Sequence, residues 1–92
     1  MLKPRHTRQF KKDIKKIEES GDKDMEKLKT IVRKLVDGKP LESKCLDHPL
    51  AGNLRGHRGC HIEPDWILLY RADKNRQEIT FVRTGSHSDL FG

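Results

Sequence analysis

A chain of 92 residues fits one domain, and folding at this size buries roughly 60 to 65% of the surface an unfolded chain exposes. With 33% hydrophobic against 37% charged residues, there is apolar material for one small core and none for a second, and no run long enough to cross a bilayer. Twenty Lys and Arg against 14 Asp and Glu give a formal charge of +6, which directs attention to a polyanion or an acidic protein as partner.

Met1 to His6 contains Pro4, so this opening segment is at most an edge strand, where a missing backbone donor is tolerated. From Thr7 a helix is expected. Thr7 can cap it, and Phe10, Ile14 and Ile17 recur at helical spacing with lysines on the opposite face, until Ser20-Gly21 ends it. Asp22 or Asp24 can cap a second helix with the apolar set Met25, Leu28, Ile31, Val32, Leu35 and Val36, stopped by Gly38 and Pro40. Two amphipathic helices with a short connection form a helical hairpin, and each needs another surface to cover its stripe. Their lysines read as a solvated face rather than a binding surface.

Leu41 to Gly56 has neither helical nor strand period, and Pro49, Gly52 and Gly56 mark it as a loop with turns. Three strands are expected after it, at roughly 58–62, 66–71 and 79–83. Glu63-Pro64-Asp65 supplies a tight turn between the first two, and Asp73-Lys74-Asn75-Arg76 joins the next pair. Strands joined this closely form an antiparallel meander. The expected fold is α+β: a helical hairpin on one face of a small antiparallel sheet, one domain spanning residues 1–92. The tail from Thr84 is polar until Leu90-Phe91 and either folds back over the sheet or extends from it.

The chemistry concentrates in the second half. Four of the five histidines, His48, His57, His61 and His87, lie there, and arginine replaces lysine as the main cation at Arg55, Arg58, Arg71, Arg76 and Arg83. Cleavage of RNA without a metal needs a base for the 2′-hydroxyl, an acid for the leaving 5′-oxygen and cations for the charge growing on phosphorus. Histidine, with an ordinary pKa of about 6.5, suits both proton roles, and the planar fork of arginine suits phosphate. In a meander, Arg83 on the last strand lies near His61 or Trp66. Alternation places His61 on the face opposite Cys60 and Ile62, hence on the polar face. Propensity alone makes Asp65 a turn residue and Trp66 a core residue. The cysteines Cys45 and Cys60 neighbour His48 and His61, but they lack the paired spacing of structural zinc sites, so neither metal nor cofactor is expected. Without an export signal, two reduced thiols and a cytoplasmic location are expected.

Asp47-His48-Pro49-Leu50 with Gly52, then Arg58, His61, Glu63-Pro64-Asp65-Trp66, and finally Arg83-Thr84-Gly85, His87 and Leu90-Phe91 form a set that resembles the YafQ family of the RelE/ParE toxin superfamily. These are ribosome-dependent messenger-RNA interferases of type II toxin–antitoxin systems. The resemblance covers nearly the whole chain. It implies a fold like that of microbial ribonucleases, cleavage of messenger RNA in the ribosomal A site, and neutralisation by an acidic, DinJ-like antitoxin, with a heterotetramer as the expected complex and DNA contacted only through the antitoxin. Carried over by position, His48, His61, Asp65 and His87 share the acid and base roles. Arg83 stabilises the phosphate, while Trp66 and Phe91 position the RNA strand, with Arg58 as a further RNA contact. His57 and Gly59 depart from the aromatic and the polar or acidic residue that commonly flank this arginine in the family. Two alternatives stand beside this reading: a ParE-like toxin acting on DNA gyrase, whose members generally lack such a histidine set, and a basic RNA-binding module without catalysis.

Overall fold

The computed structural model describes residues 1–92. The first strand, β1 (Lys3–His6), is an exposed edge strand, as Pro4 requires. Thr7 then turns the chain into α1 (Arg8–Ser20). Its side-chain oxygen accepts the Phe10 N–H at 2.9 Å, while its hydroxyl donates to the Val82 carbonyl at 2.7 Å, so one residue starts the helix and ties it to the sheet. Gly21 closes α1 at φ 69°, and Asp24 caps α2 (Met25–Val36) by accepting the Glu26 N–H.

The segment expected to be a loop with turns has more order than that. Two single 3-10 turns, Ser43–Cys45 and Gly52–Leu54, flank a two-residue strand, β2 (His48–Pro49), paired antiparallel with β3 (Arg58–Glu63). The Pro64-Asp65 turn leads into β4 (Trp66–Asp73), and a second turn leads into β5 (Glu78–Gly85). The tail folds back as a short helix, α3 (His87–Phe91), closed by a reciprocal capping box between Ser86 and Asp89.

The sheet runs β1-β5-β4-β3-β2. The expected meander of three strands is its centre, but the sheet is mixed rather than antiparallel, because β1 pairs parallel with β5 from Lys3↔Glu78 to His6↔Phe81. That pairing joins the two ends of the sequence, which no local pattern encodes. The helices cover one face. Phe10, Ile17, Leu28, Ile31 and Leu35 from the hairpin pack with Cys60, Trp66, Leu68, Tyr70, Ile79 and Phe81 from the sheet. Burial pushes the Cys60 thiol up to about 12, and neither cysteine is in a disulfide. No helix is long and apolar enough to cross a membrane.

Trp66 to Tyr70 is buried without alternation, so β4 is covered on both faces. On the second face Ile67 and Leu69 are also buried, Leu50 of the 46–56 loop comes close to Leu69 over Gly59, and α3 packs on β5. A Cβ at Gly59 would meet Leu50 and Leu69 at 3.5 Å, an ordinary van der Waals contact, whereas at Gly85 it would lie 3.1 Å from Asp89, so Gly85 allows the close approach of α3. Two bulges set the phase of the flanking strands. Ile62 is inserted in β3, and Val82 in β5, between the pairs Tyr70↔Phe81 and Leu69↔Arg83. Simple alternation from Ile79 and Phe81 would aim residue 83 into the core. The extra residue instead gives the core Thr84 and releases Arg83.

Candidate active site

Opposed residues of antiparallel strands share a face, so the register defines rows across the sheet. One row on the second face runs His48, Gly59, Leu69, Arg83; the next runs His61, Ile67, Gly85. His48 and His61 therefore stand on the same face, with α-carbons about 8 Å apart from one strand spacing and two residues of rise.

Each histidine is held by its Nδ1. In His48 it lies 2.6 Å from the Leu46 carbonyl and in His61 3.2 Å from the Pro64 carbonyl. A carbonyl only accepts, so Nδ1 carries the proton and Nε2 is left for a substrate. His87 Nδ1 lies 2.7 Å from Asp65 Oδ1, which also accepts the backbone N–H of His87 at 2.9 Å. The amide and the ring of His87 hold the Asp65 carboxyl below its ordinary range, so the partner behind Nδ1 is an anion at neutral pH. Asp65 is thus a turn residue with a second task, joining the β3–β4 turn to the start of α3. The His61 and His87 rings lie 5.6 Å apart, and Phe91, half exposed, has its ring 6.2 Å from His87. His57 remains apart from this group, its Nδ1 on the Leu54 carbonyl within the loop.

Two expected RNA contacts have other surroundings. Trp66 has no accessible surface. Its Nε1–H donates to Thr84 Oγ1 at 2.9 Å, and Lys23 lies 5.5 Å above the ring, so it positions the strands beneath the site and presents nothing to a bound nucleotide. Arg58 alternates with Gly59 and therefore points to the face away from the histidines. There its Nε donates to Asp47 at 3.3 Å, and Tyr70 donates its hydroxyl to the same Asp47 oxygen at 2.6 Å. Arg58 is thus paired with the residue preceding His48, while its side chain stays 42% exposed.

Arg83 is two strands from His61 rather than beside it, and its side chain makes no bond to a histidine or to Trp66. Its Nε and Nη2 donate to Oδ2 and Oδ1 of Asp13 at 3.2 and 3.0 Å. Asp13 also accepts the Thr84 N–H at 3.1 Å and the Gln9 amide. Burial alone would raise this carboxyl, yet the hydrogen bonds from Arg83, Gln9 and Thr84 outweigh it and hold it below its ordinary range. Sequence reasoning missed Asp13. The signal was its place in the apolar stripe of α1, between Phe10 and Ile17 and beside Ile14, where a carboxylate must have a buried partner. No three His, Cys, Asp or Glu side chains are grouped so that they could hold a metal ion.

Chemically, the group offers three imidazoles with Nε2 left open, an anion behind one of them and an exposed aromatic ring at its rim, with a guanidinium fixed by Asp13 near the end of β5. The chain is similar to known proteins along nearly its whole length. The mRNA interferase toxin YafQ of Escherichia coli K12 is 42% identical over 85 residues, covering 91% of this chain and 89% of that protein. The E. coli DinJ–YafQ complex contains a chain that superposes with a TM-score of 0.88 at 39% identity, each chain covered completely. A metal-bound toxin from Helicobacter pylori superposes with a TM-score of 0.89 at 40% identity, covering 99% of this chain and 100% of the other. Residues 2–92 match the family model described as the bacterial toxin of type II toxin–antitoxin systems, YafQ, and the chain belongs to that family.

Proposed function

We propose that the protein is an endoribonuclease that cleaves messenger RNA in the ribosomal A site by general acid–base catalysis without a metal, and that an acidic DinJ-like antitoxin neutralises it. The observation that carries this reading is the pair His61 and His87, 5.6 Å apart, with Asp65 behind His87. A carboxylate on Nδ1 compensates the charge of a ring that carries a proton on Nε2, so His87 is the acid that protonates the departing 5′-oxygen. His61, whose Nδ1 faces only a neutral carbonyl, takes the 2′-hydroxyl proton, with His48 on the same face as the second acceptor. The 2′-oxygen forms its bond to phosphorus as the bond to the 5′-oxygen breaks, leaving a 2′,3′-cyclic phosphate and a 5′-hydroxyl. Arg83 offsets the charge on the non-bridging oxygens, and Phe91 offers its ring to a base. The net charge of +6 suits both the ribosome and an acidic antitoxin, bound as a heterotetramer in which the antitoxin contacts DNA.

The test is primer extension on a translated message with the wild-type protein, His87→Ala and His61→Ala, with and without 1,10-phenanthroline at a constant magnesium level that keeps the ribosomes intact, and on the same RNA free of ribosomes. Cleavage is expected only by the wild type, only on ribosomes and equally in the presence of the chelator. Equal cleavage by all three proteins would reject the site, and loss with the chelator while translation complexes stay intact would reject the metal-free route. Binding without any product would favour the non-catalytic module.

A further inference from the structure

We propose that Asp13 is a positioning residue for Arg83, setting the direction in which the guanidinium presents its charge to the scissile phosphate. This rests on the phosphate role given to Arg83 above. β1 ends its pairing with β5 at Phe81, and the Val82 bulge then releases Arg83 at an edge where no strand continues. A long side chain there has many rotamers, and few of them aim at the site. Asp13 removes that freedom. Its carboxylate grips the guanidinium side-on through Nε and Nη2, a planar two-point contact that fixes orientation as well as distance. Nη1 is left with no hydrogen bond inside the protein, although the guanidinium remains partly exposed.

The carboxylate is itself fixed. Asp13 is buried and holds the Thr84 backbone and Gln9 as well as Arg83. Thr84 in turn receives the indole of Trp66 and donates to the Ile67 carbonyl, so the helix, the last strand and the central strand are registered through this one group. Arg83 and Asp13 line a cleft of about 280 Å³ with Lys16, Lys23, Gly85 and Asp89, and this cleft adjoins the start of α3, where His87 stands. An aspartate in an apolar helix stripe thereby acts on the site without touching RNA.

The test measures single-turnover cleavage of a ribosome-bound message by Asp13→Asn, Asp13→Glu, Arg83→Ala and the double variant Asp13→Asn/Arg83→Ala, each checked by thermal melting. Asn keeps the shape and an acceptor for the Thr84 N–H while removing the charged grip; Glu keeps the charge and displaces it. Asp13→Asn is expected to lower the rate roughly 10- to 100-fold, as a misplacement of about 1 Å does elsewhere, with KM for ribosomes within about twofold. Asp13→Glu is expected to fall between Asp and Asn. In the Arg83→Ala background the Asn change is expected to add less than about twofold, because two residues acting as one unit are not additive. Added guanidinium ion is expected to restore Arg83→Ala better when Asp13 is intact. A wild-type rate in Asp13→Asn, or a full further loss in the double variant, overturns the positioning role. A wild-type rate in Arg83→Ala is a different result, overturning the phosphate role of Arg83 itself.

Discussion

Two aspartates each hold a basic side chain near the candidate site, and their settings are opposite. Asp65 and His87 are open to water, with side chains 69% and 56% exposed, whereas Asp13 and Arg83 are 8% and 33% exposed. The exposed pair is placed by a tight turn and a short helix, and its ring is free to meet a substrate. The buried pair is placed by α1 and β5, and its carboxylate is saturated with donors. An exposed ion pair contributes little to folding and is screened by salt. Removing one member of a buried pair leaves a charge without its partner. Chemistry is therefore expected at the first pair and geometry at the second.

The sharpest way to break that contrast is at the exposed pair. His87→Ala is expected to lower cleavage by ~10²–10⁴-fold, the ordinary yield of a placed general acid, while stability by denaturant titration stays within about 0.5 kcal/mol, as for other surface changes. A large loss of stability would place His87 with the structural residues instead. At the buried pair the pattern inverts. Asp13→Ala is expected to destabilise the fold by on the order of 3 kcal/mol, since Arg83 and the Thr84 amide both lose their acceptor. A denaturant midpoint equal to wild type would show that water replaces the carboxylate without cost.

Trp66 tests which side of the contrast a residue lies on. Strand propensity already assigns it to the core, and the family resemblance assigns it to the RNA strand; the structure gives it no surface. Trp66→Phe removes the indole N–H from Thr84 and leaves a void, for an expected loss of about 2 kcal/mol. The cleavage rate per folded molecule is expected to change less than about threefold. A greater loss of rate at unchanged stability would return Trp66 to the RNA.

These assignments mark where the sequence could be read and where it could not. Thr7, Gly21 and Asp24 are local signals, and the structure has the helix ends they predict, because capping is decided within four residues. The Pro64-Asp65 turn and the histidine-bearing face of β3 were legible for the same reason. What escaped depends on distant partners. The parallel pairing of β1 with β5 joins residues 3–6 to residues 78–81. The two-residue strand at His48 has no period to show. The Val82 bulge hides inside Ile79, Phe81 and Arg83, which read as perfect alternation, so the side chain that leaves the core is the one a simple pattern would bury. Arg58 and Arg83 look alike in sequence, and only the pleat and the bulge separate an arginine paired with Asp47 on the helix-covered face from one paired with Asp13 at the end of β5.

Acid offers the smallest effect and separates the pairs without touching activity. Both Asp13 and Asp65 have carboxyls held below the ordinary range in the fold. A depressed carboxylate adds stability above its unfolded pKa of about 3.9 and loses that contribution as pH falls through the lower folded value. Stability of the wild type is therefore expected to drop on the acid side of about pH 4. Asp13→Asn begins lower at neutral pH, but its acid limb is shallower, so the two curves converge as pH falls. Asp65→Asn is expected to show the same convergence with less amplitude. Half-molar salt distinguishes them. Its Debye length of roughly 4 to 5 Å screens the exposed pair and shrinks the Asp65 difference, while the buried Asp13 difference persists. Denaturant titrations between pH 2.5 and 7 at low and high salt measure both; equal salt sensitivity would mean that water reaches Asp13 as freely as Asp65, and the contrast between the two pairs would fail.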